Sequence, residues 1–195
     1  MPETLALIRI ANVPGYGTEE VSDHAAALLL ACIRSLLPRD ANLRRGCSET
    51  GIREAIFRTT GKTLGLIGYG QIGGALHRKW KGFLPRRVLV FDPYATPEAI
   101  QENGAEAAEL DTLFAESDYI SLHAPLTPQT RHLINAANLR KMKTSAILVN
   151  TARGELIDEK ALAAALAEGR IAAAGLDVFE QEPLAREHPF IGMPN

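Results

Sequence analysis

Short apolar runs alternate with longer stretches of mixed polarity from Gly61 to the end of the chain. The runs predict five strands, at Thr63–Gly68, Val88–Phe91, Tyr119–His123, Ala146–Asn150 and Ile171–Leu176. Each run is short and apolar throughout, which is typical of strands that are buried on both faces. Repetition of strand, helix and strand predicts the α/β class, with a doubly wound parallel sheet and right-handed crossovers.

Capping residues mark the helices between these strands. Thr96 followed by Pro97 predicts a helix start, because a hydroxyl at the cap accepts from a free backbone N–H and proline suits the first turn. Asp158 predicts the cap of a second helix, and Gly169 its left-handed terminator. The helical segments therefore fall between the predicted strands.

The region before Gly61 has a different pattern. The apolar run Leu5–Val13 predicts a strand, and the glycine-rich turn after it leads into a helix with Thr18 as its N-cap. An apolar face continues through this helix until Pro38, where we expect the helix to end. Residues 38–61 become polar and rich in arginine, which predicts a solvated connecting arm with a short helix at Ile52–Phe57.

Composition and charge narrow the classes of function. The chain has 195 residues, of which 46% are hydrophobic and 23% charged, as expected of one large globular domain rather than a disordered segment. A net charge of -2 gives no electrostatic reason to expect nucleic acid or an anionic membrane as a partner. We expect neither a membrane span nor a signal peptide. Cys32 and Cys47 lie in no paired spacing, which favours free thiols and a reducing cytoplasm.

The segment GYGQIG follows the first predicted strand of the repeating region and opens a helix. In that setting, glycines allow a tight turn, close approach of the backbone to a pyrophosphate, and close packing of helix on strand. The free N–H groups of the helix N-terminus favour phosphate. The predicted cofactor contacts here are Gly68, Gly70, Gln71, Ile72 and Gly73. The alternative is a glycine-rich structural turn.

Asp92 ends the next strand, 19 residues after Gly73. An acid at this place in a dinucleotide-binding unit accepts hydrogen bonds from the adenosine ribose hydroxyls. Its carboxylate would repel a 2′-phosphate, so the sequence predicts NAD rather than NADP. The alternative role for Asp92 is to cap the turn at Pro93.

Two further segments follow predicted strands, where the open edge of such a sheet holds ligands. Arg153 comes directly after one buried strand, in the segment NTARG. A guanidinium at this position suits a cleft that receives an anion, and its planar fork pairs with a carboxylate through two hydrogen bonds. We therefore expect an acid substrate, with a solvated surface arginine as the alternative. The second segment, GLDVFEQEP, contains Asp177 and Glu182.

The chain resembles the D-2-isomer-specific 2-hydroxyacid dehydrogenase family. The resemblance rests on these segments together with VPGYGTEEVSDHA, GKTLGLIGYGQIGGAL and SLHAPLTPQTRHLI. The resemblance covers residues from about 11 to 195 in order and spacing. The family includes phosphoglycerate, glycerate and lactate dehydrogenases and the C-terminal binding protein corepressors. The arm at 43–61 is closest to the corepressor-like branch. A Rossmann NAD-binding domain is the fold that the resemblance implies.

The resemblance also implies roles for individual residues. Arg153 would bind and polarise the keto acid, and Glu182 would support a catalytic histidine. Asp177 would hold the nicotinamide carboxamide. The other implied cofactor contacts are His123, Pro125, Thr130, Thr151 and Ala152. From the residues alone, His123 could instead be a satisfied histidine at a strand end, and Glu182 a solvated loop acid.

Compared with the family pattern, we expect a chain truncated at both ends. Residues 1–13 would be the remnant of a junction with a substrate-binding domain, and residues 14–195 the NAD-binding domain. The family's acid/base histidine would lie beyond Asn195, because His188 comes too early and lacks its sequence context. The resemblance implies a homodimeric NAD-dependent oxidoreductase domain, and without these parts we expect the chain to be inactive alone. The alternative function is a non-catalytic NAD(H)-binding or dimerisation module of the corepressor type.

Overall fold

Six parallel strands form a single sheet in the order β3-β2-β1-β4-β5-β6. The structure is a computed structural model that describes residues 11–47 and 56–195. The strands are β1 Thr63–Ile67, β2 Arg87–Phe91, β3 Glu106–Ala107, β4 Tyr119–Leu122, β5 Ile147–Asn150 and β6 Ala173–Leu176. This sheet confirms the predicted class. The strand order reverses between β1 and β4, and ligands bind at such a reversal, outside the carboxyl ends of the strands.

Helices cover both faces of the sheet. They are α1 Thr18–Ile33, α2 Leu36–Arg44, α3 Gln71–Trp80, α4 Pro97–Glu102, α5 Leu110–Glu116, α6 Ala136–Leu139 and α7 Glu159–Ala167. One apolar core joins α1, α3 and α4 to the sheet through residues such as Leu29, Trp80 and Ile100. The other joins α5, α6 and α7 through residues such as Phe114 and Leu162. Burial on both faces explains why the central strands are apolar at successive positions.

The helix signals between the strands are confirmed. Thr96 Oγ1 accepts from the backbone N–H of Ala99 at the start of α4. Asp158 Oδ1 accepts from the N–H of Ala161 at the start of α7, and Gly169 after its end has a φ of +63°. The short edge strand β3 is a pairing that the sequence did not predict, because its two residues are exposed and have no apolar pattern.

The first helix differs from its prediction at both ends. Gly17, with φ 75°, is the N-cap, and the Thr18 hydroxyl instead donates to Gln71 Oε1 at 3.1 Å. The helix does not run to Pro38. It breaks at Ser35, which has a left-handed φ of 49°, and Pro38 lies in the first turn of α2. Proline costs little there because the first N–H groups of a helix have no intrahelical acceptor.

The arm predicted at 38–61 therefore begins as helix. Of the predicted first strand only residues 11–13 are described, and they are not strand. The predicted helix at Ile52–Phe57 lies outside the described residues except for Ile56 and Phe57, which are not helical. No single helix in the described ranges is long and apolar enough to cross a membrane; α1 and α2 meet that test only as a pair bent by 62°.

Candidate active site

The glycine turn lies between β1 and α3, at the reversal of strand order. Gly68 has a φ of +93°, and a Cβ built on it would lie 2.6 Å from the carbonyl carbon of His123. A Cβ on Gly73 would lie 2.4 Å from the Gly68 carbonyl oxygen. Both glycines are therefore required for the turn to pack against α3 and against the end of β4.

Gly70 differs from these two glycines. It has an extended backbone, and a Cβ built on it would meet no heavy atom within 4 Å. It is also the N-cap of α3, whose first turn receives no hydrogen bond from a capping side chain. Gln71 is exposed and Ile72 half-buried in that turn. An open backbone beside uncapped N–H groups fits the pyrophosphate of a dinucleotide, so the residues present suit NAD.

Asp92, at the end of β2, is hydrogen-bonded to two backbone groups. Its Oδ2 accepts from the N–H of Tyr69 at 2.6 Å, and its Oδ1 accepts from the N–H of Tyr94 at 2.8 Å. The second bond is the turn-capping role, and the first links β2 to the glycine turn. Each carboxylate oxygen has a further lone pair, so the capacity to accept from ribose hydroxyls remains.

His123 follows β4 and adjoins the glycine turn. Its backbone N–H donates to the Ile67 carbonyl at 2.7 Å, and its Nε2 lies 2.9 Å from Ser121 Oγ. Burial lowers the pKa of His123 to about 4, so the imidazole is neutral at pH 7. Further along the same loop, Thr130 Oγ1 donates to the Pro125 carbonyl at 2.7 Å. These contacts order the segment beside the glycine turn.

The loop after β5 is held by Asn150, a residue that sequence reasoning missed. Its buried amide donates to the Arg153 carbonyl at 2.8 Å and accepts from the Ala152 N–H at 3.0 Å. The signal was a polar residue that ends an otherwise apolar strand. Thr151 is buried, and its Oγ1 has no hydrogen-bond partner within the described structure. Such an unpartnered hydroxyl is a candidate contact for a bound polar group.

Arg153 and Glu182 line one cavity of about 400 Å³. The other residues that line it are Ala152, Gly154, Glu155, Val178, Phe179 and Glu180. Arg153 is exposed, and its Nη1 donates to the carbonyl of Ala152 at 2.6 Å. Glu182 is also exposed, and its Oε1 accepts from the Phe179 N–H at 3.1 Å. The structure thus brings the guanidinium and the carboxylate, 29 residues apart in sequence, to the same cavity.

Asp177 lies at the end of β6, next to this cavity in sequence but not among its lining residues. Its Oδ1 is 3.2 Å from Nε2 of His24 on α1, and both side chains are about half exposed.

A larger apolar cavity of about 1110 Å³ lies near α1, α2 and β6 and is lined by none of the predicted site residues. Cys32 lines that cavity, and burial raises the pKa of its thiol to about 11, which makes it a poor nucleophile.

Two further close contacts involve Gly154, which lines the cavity, and His188, which does not. A Cβ on Gly154 would lie 1.9 Å from the carbonyl carbon of Phe179, so only glycine allows the two loops to meet. Sequence reasoning missed Gly154, because the contact joins segments distant in the chain. His188 Nε2 lies 2.9 Å from Glu159 Oε2.

Comparison with known proteins places this arrangement in a family. The model of the NAD-binding domain of D-isomer specific 2-hydroxyacid dehydrogenases matches residues 26–195. A glyoxylate reductase of Korarchaeum cryptofilum is 44% identical over 191 residues, which are 96% of this chain and 57% of that protein. A hydroxypyruvate reductase of Thermotoga maritima is 44% identical over 176 residues, 90% of this chain and 56% of the relative.

A solved structure gives the same result. The crystal structure of D-lactate dehydrogenase with NAD+ from Lactobacillus jensenii matches with a TM-score of 0.85 at 32% identity, covering 96% of this chain and 60% of that one. The chain thus spans little more than half the length of these relatives. All three are reductases or dehydrogenases, and they give no support to the corepressor-like alternative. The chain belongs to the D-isomer specific 2-hydroxyacid dehydrogenases and contains their NAD-binding domain.

Proposed function

We propose that this domain serves an enzyme that transfers a hydride reversibly between NAD(H) and C2 of a 2-hydroxy or 2-keto acid. The observation that carries the proposal is the cavity shared by Arg153 and Glu182, at the sheet edge that also holds the glycine turn. The names of the relatives support an acid substrate of this class.

The cofactor would be held mainly by main-chain groups. In the proposal, Gly68, Gly70 and Gly73, with the N-terminus of α3, receive the pyrophosphate, and Asp92 accepts from the ribose hydroxyls. Thr151, Ala152 and Asp177 lie at the ends of β5 and β6, on the side proposed for the nicotinamide. When bound, NAD(H) supplies or accepts the hydride.

Arg153 would orient the substrate. Its guanidinium donates two parallel hydrogen bonds to a carboxylate and draws electron density from an adjacent carbonyl. Glu182 would hold an acid/base histidine; a positioned proton donor of this kind typically contributes about a hundredfold or more in rate. His123, neutral because burial lowers its pKa to about 4, would contact the cofactor without adding charge.

The test is turnover with glyoxylate, pyruvate and hydroxypyruvate, followed by the absorbance of NADH. We expect the 195-residue chain to bind NADH without measurable turnover. A version extended to the length of the relatives should reach about 1 to 1000 per second, the usual range for enzymes. Arg153→Ala should abolish that rate, whereas Arg186→Ala should retain it because Arg186 is exposed and does not line the cavity.

Two outcomes would contradict the proposal. An extended protein that binds NADH but reduces none of the acids would favour the non-catalytic alternative. Turnover of about one per second by the 195-residue chain, lost in Arg153→Ala, would show that the chain needs no further segment.

We also infer a homodimer in a reducing, cytoplasmic compartment. Three leucines of α2 support the dimer: Leu36, Leu37 and Leu43 are 53%, 74% and 68% exposed, as expected of a surface that a partner covers. Light scattering should give twice the mass of the chain, and a monomer at high micromolar concentration would contradict the dimer.

The thiols of Cys32 and Cys47 are free, which supports a reducing compartment such as the cytoplasm.

A further inference from the structure

Two glutamates that the proposed reaction does not use hold the loop after β6 on the start of α7. Glu159 is the first residue of α7, so its backbone N–H lacks an intrahelical acceptor. That N–H donates to Glu180 Oε1 at 3.1 Å, and the Glu180 N–H donates to Glu159 Oε1 at 2.8 Å. The two residues therefore exchange side-chain and backbone hydrogen bonds across 21 positions of sequence.

A histidine lies beside each of these carboxylates. Glu159 Oε2 is 2.9 Å from Nε2 of His188, whose Nδ1 accepts from the Phe190 N–H. With Nδ1 as acceptor, Nε2 carries the hydrogen and donates to Glu159. The side chains of Glu159 and His188 are only 12% and 15% exposed, so this contact is shielded from water. Glu180 Oε1 lies 3.3 Å from Nε2 of His132.

The loop held in this way contains Glu182. Phe179 donates its N–H to the Glu182 carboxylate, and its carbonyl carbon lies 1.9 Å from the position that a Cβ on Gly154 would take. Arg153 directly precedes Gly154. One backbone contact and one pair of glutamates thus set the distance between the loop of Arg153 and the loop of Glu182.

We propose that Glu159 is a positioning residue that fixes Glu182 relative to Arg153 by holding the backbone of Glu180. The functional consequence rests on the proposed function, in which both residues act on one substrate. Misplacement of a reacting group by about 1 Å can cost about a hundredfold in rate. A carboxylate suits this task because it accepts hydrogen bonds at both oxygens, one from Glu180 and one from His188.

Amide hydrogen exchange, measured by NMR on the full 195-residue chain, tests the proposal. The amide of Glu180 reports the bond to Glu159, and the amide of Phe179 reports the place of the Glu182 carboxylate. In Glu159→Ala both amides should exchange at least about tenfold faster, because a charge-assisted hydrogen bond is lost. Amides of β5, such as that of Val149, should keep their rates.

Glu159→Gln provides the rescue. Its amide oxygen still accepts from the Glu180 N–H, so protection of the Glu180 amide should return. If the contact between Glu159 and His188 were what holds the loop, protection of the Glu180 amide would stay lost in this variant. Glu168→Ala is the matched control, since Glu168 is exposed at the other end of the same helix and should change neither amide.

Unchanged exchange at Phe179 and Glu180 in Glu159→Ala would overturn the proposal. So would an equal acceleration of the β5 amides, which would mean general destabilisation. NADH titration of the same samples keeps the two ideas separate: failure of the unchanged chain to bind NADH refutes the proposed function, whereas the exchange rates judge Glu159 independently.

Discussion

The two halves of the sheet edge are built in different ways. Around β1, α3 and β2, the site consists of main-chain groups and the Asp92 carboxylate, all within a short stretch of sequence from Gly68 to Tyr94. Around β5, α7 and β6, Arg153 and Glu182 depend on contacts between segments more than 20 residues apart. A binding site for phosphates can therefore be encoded locally, whereas the placement of reactive side chains requires the folded loops to meet.

The largest effect is expected for Gly154→Ala, which breaks the second half. The added Cβ would overlap the Phe179 carbonyl carbon at 1.9 Å, and that carbon belongs to backbone rather than to a flexible side chain. Overpacking of this kind should lower the free energy of unfolding by about 3 kcal/mol. For a chain of this size, the midpoint of thermal unfolding should fall by roughly 6–12 °C. The fluorescence of Trp80, the sole and fully buried tryptophan, follows the transition.

Gly74→Ala is the matched control for this variant. Gly74 lies within α3, and a Cβ there meets nothing within 4 Å. Alanine in a helix interior is favoured over glycine by about 0.5–1 kcal/mol, so this variant should be as stable as the unchanged chain or more so. Equal stability of the two variants would show that the loops of Gly154 and Phe179 do not meet as described.

Gly70→Ala sharpens the comparison on the first half. The new methyl group occupies open space, and the backbone is extended, so the thermal midpoint should stay unchanged. The same methyl group would obstruct the approach of a pyrophosphate to the turn. We expect NADH affinity to fall by about tenfold, equivalent to about 1.4 kcal/mol. Calorimetric titration measures it, and undiminished NADH binding in a stable variant would place the cofactor elsewhere.

The smallest effect concerns pH and His123, which lies where β4 meets the glycine turn. Burial lowers the pKa of this histidine from 6.5 to about 4, so between these values the unfolded chain binds a proton that the folded chain does not. The free energy of unfolding should therefore fall as pH decreases from about 6.5 towards 4, and the protonation of His123 contributes to that loss. Urea unfolding of the unchanged chain and of His123→Gln across this range should show a shallower slope in the variant. Identical slopes would contradict this account of His123.

Local patterns were sufficient to predict much of this fold. Short apolar runs identified β1, β2, β4, β5 and β6, because strands buried on both faces need apolar side chains at every position. The caps Thr96 and Asp158 could also be predicted from local sequence, because a capping bond spans only three residues. The prediction for Pro38 was wrong, because proline ends a helix interior but fits a first turn, and only the left-handed backbone of Ser35 shows where α2 begins.

The candidate site shows the same difference between residues that act through local contacts and residues that act through distant segments. The glycine turn and Asp92 could be predicted as candidates from spacing, because they lie within one unit of strand, turn, helix and strand. Asn150 and Gly154 could not be assigned roles, since each acts through a partner that only folding brings near. The role of Glu159 could not be predicted from the sequence either, because the helix dipole alone explains an acid in the first turn of a helix.

The central claim is that the glycine turn and Asp92 form a site for NAD(H). Calorimetric titration of the chain with NADH and with NADPH tests it most directly, with Asp92→Ala measured beside it. We expect NADH to bind at least about tenfold more tightly than NADPH, and Asp92→Ala to narrow the difference, because the carboxylate opposes a 2′-phosphate. Equal or tighter binding of NADPH, or an unchanged preference in Asp92→Ala, would contradict the claim.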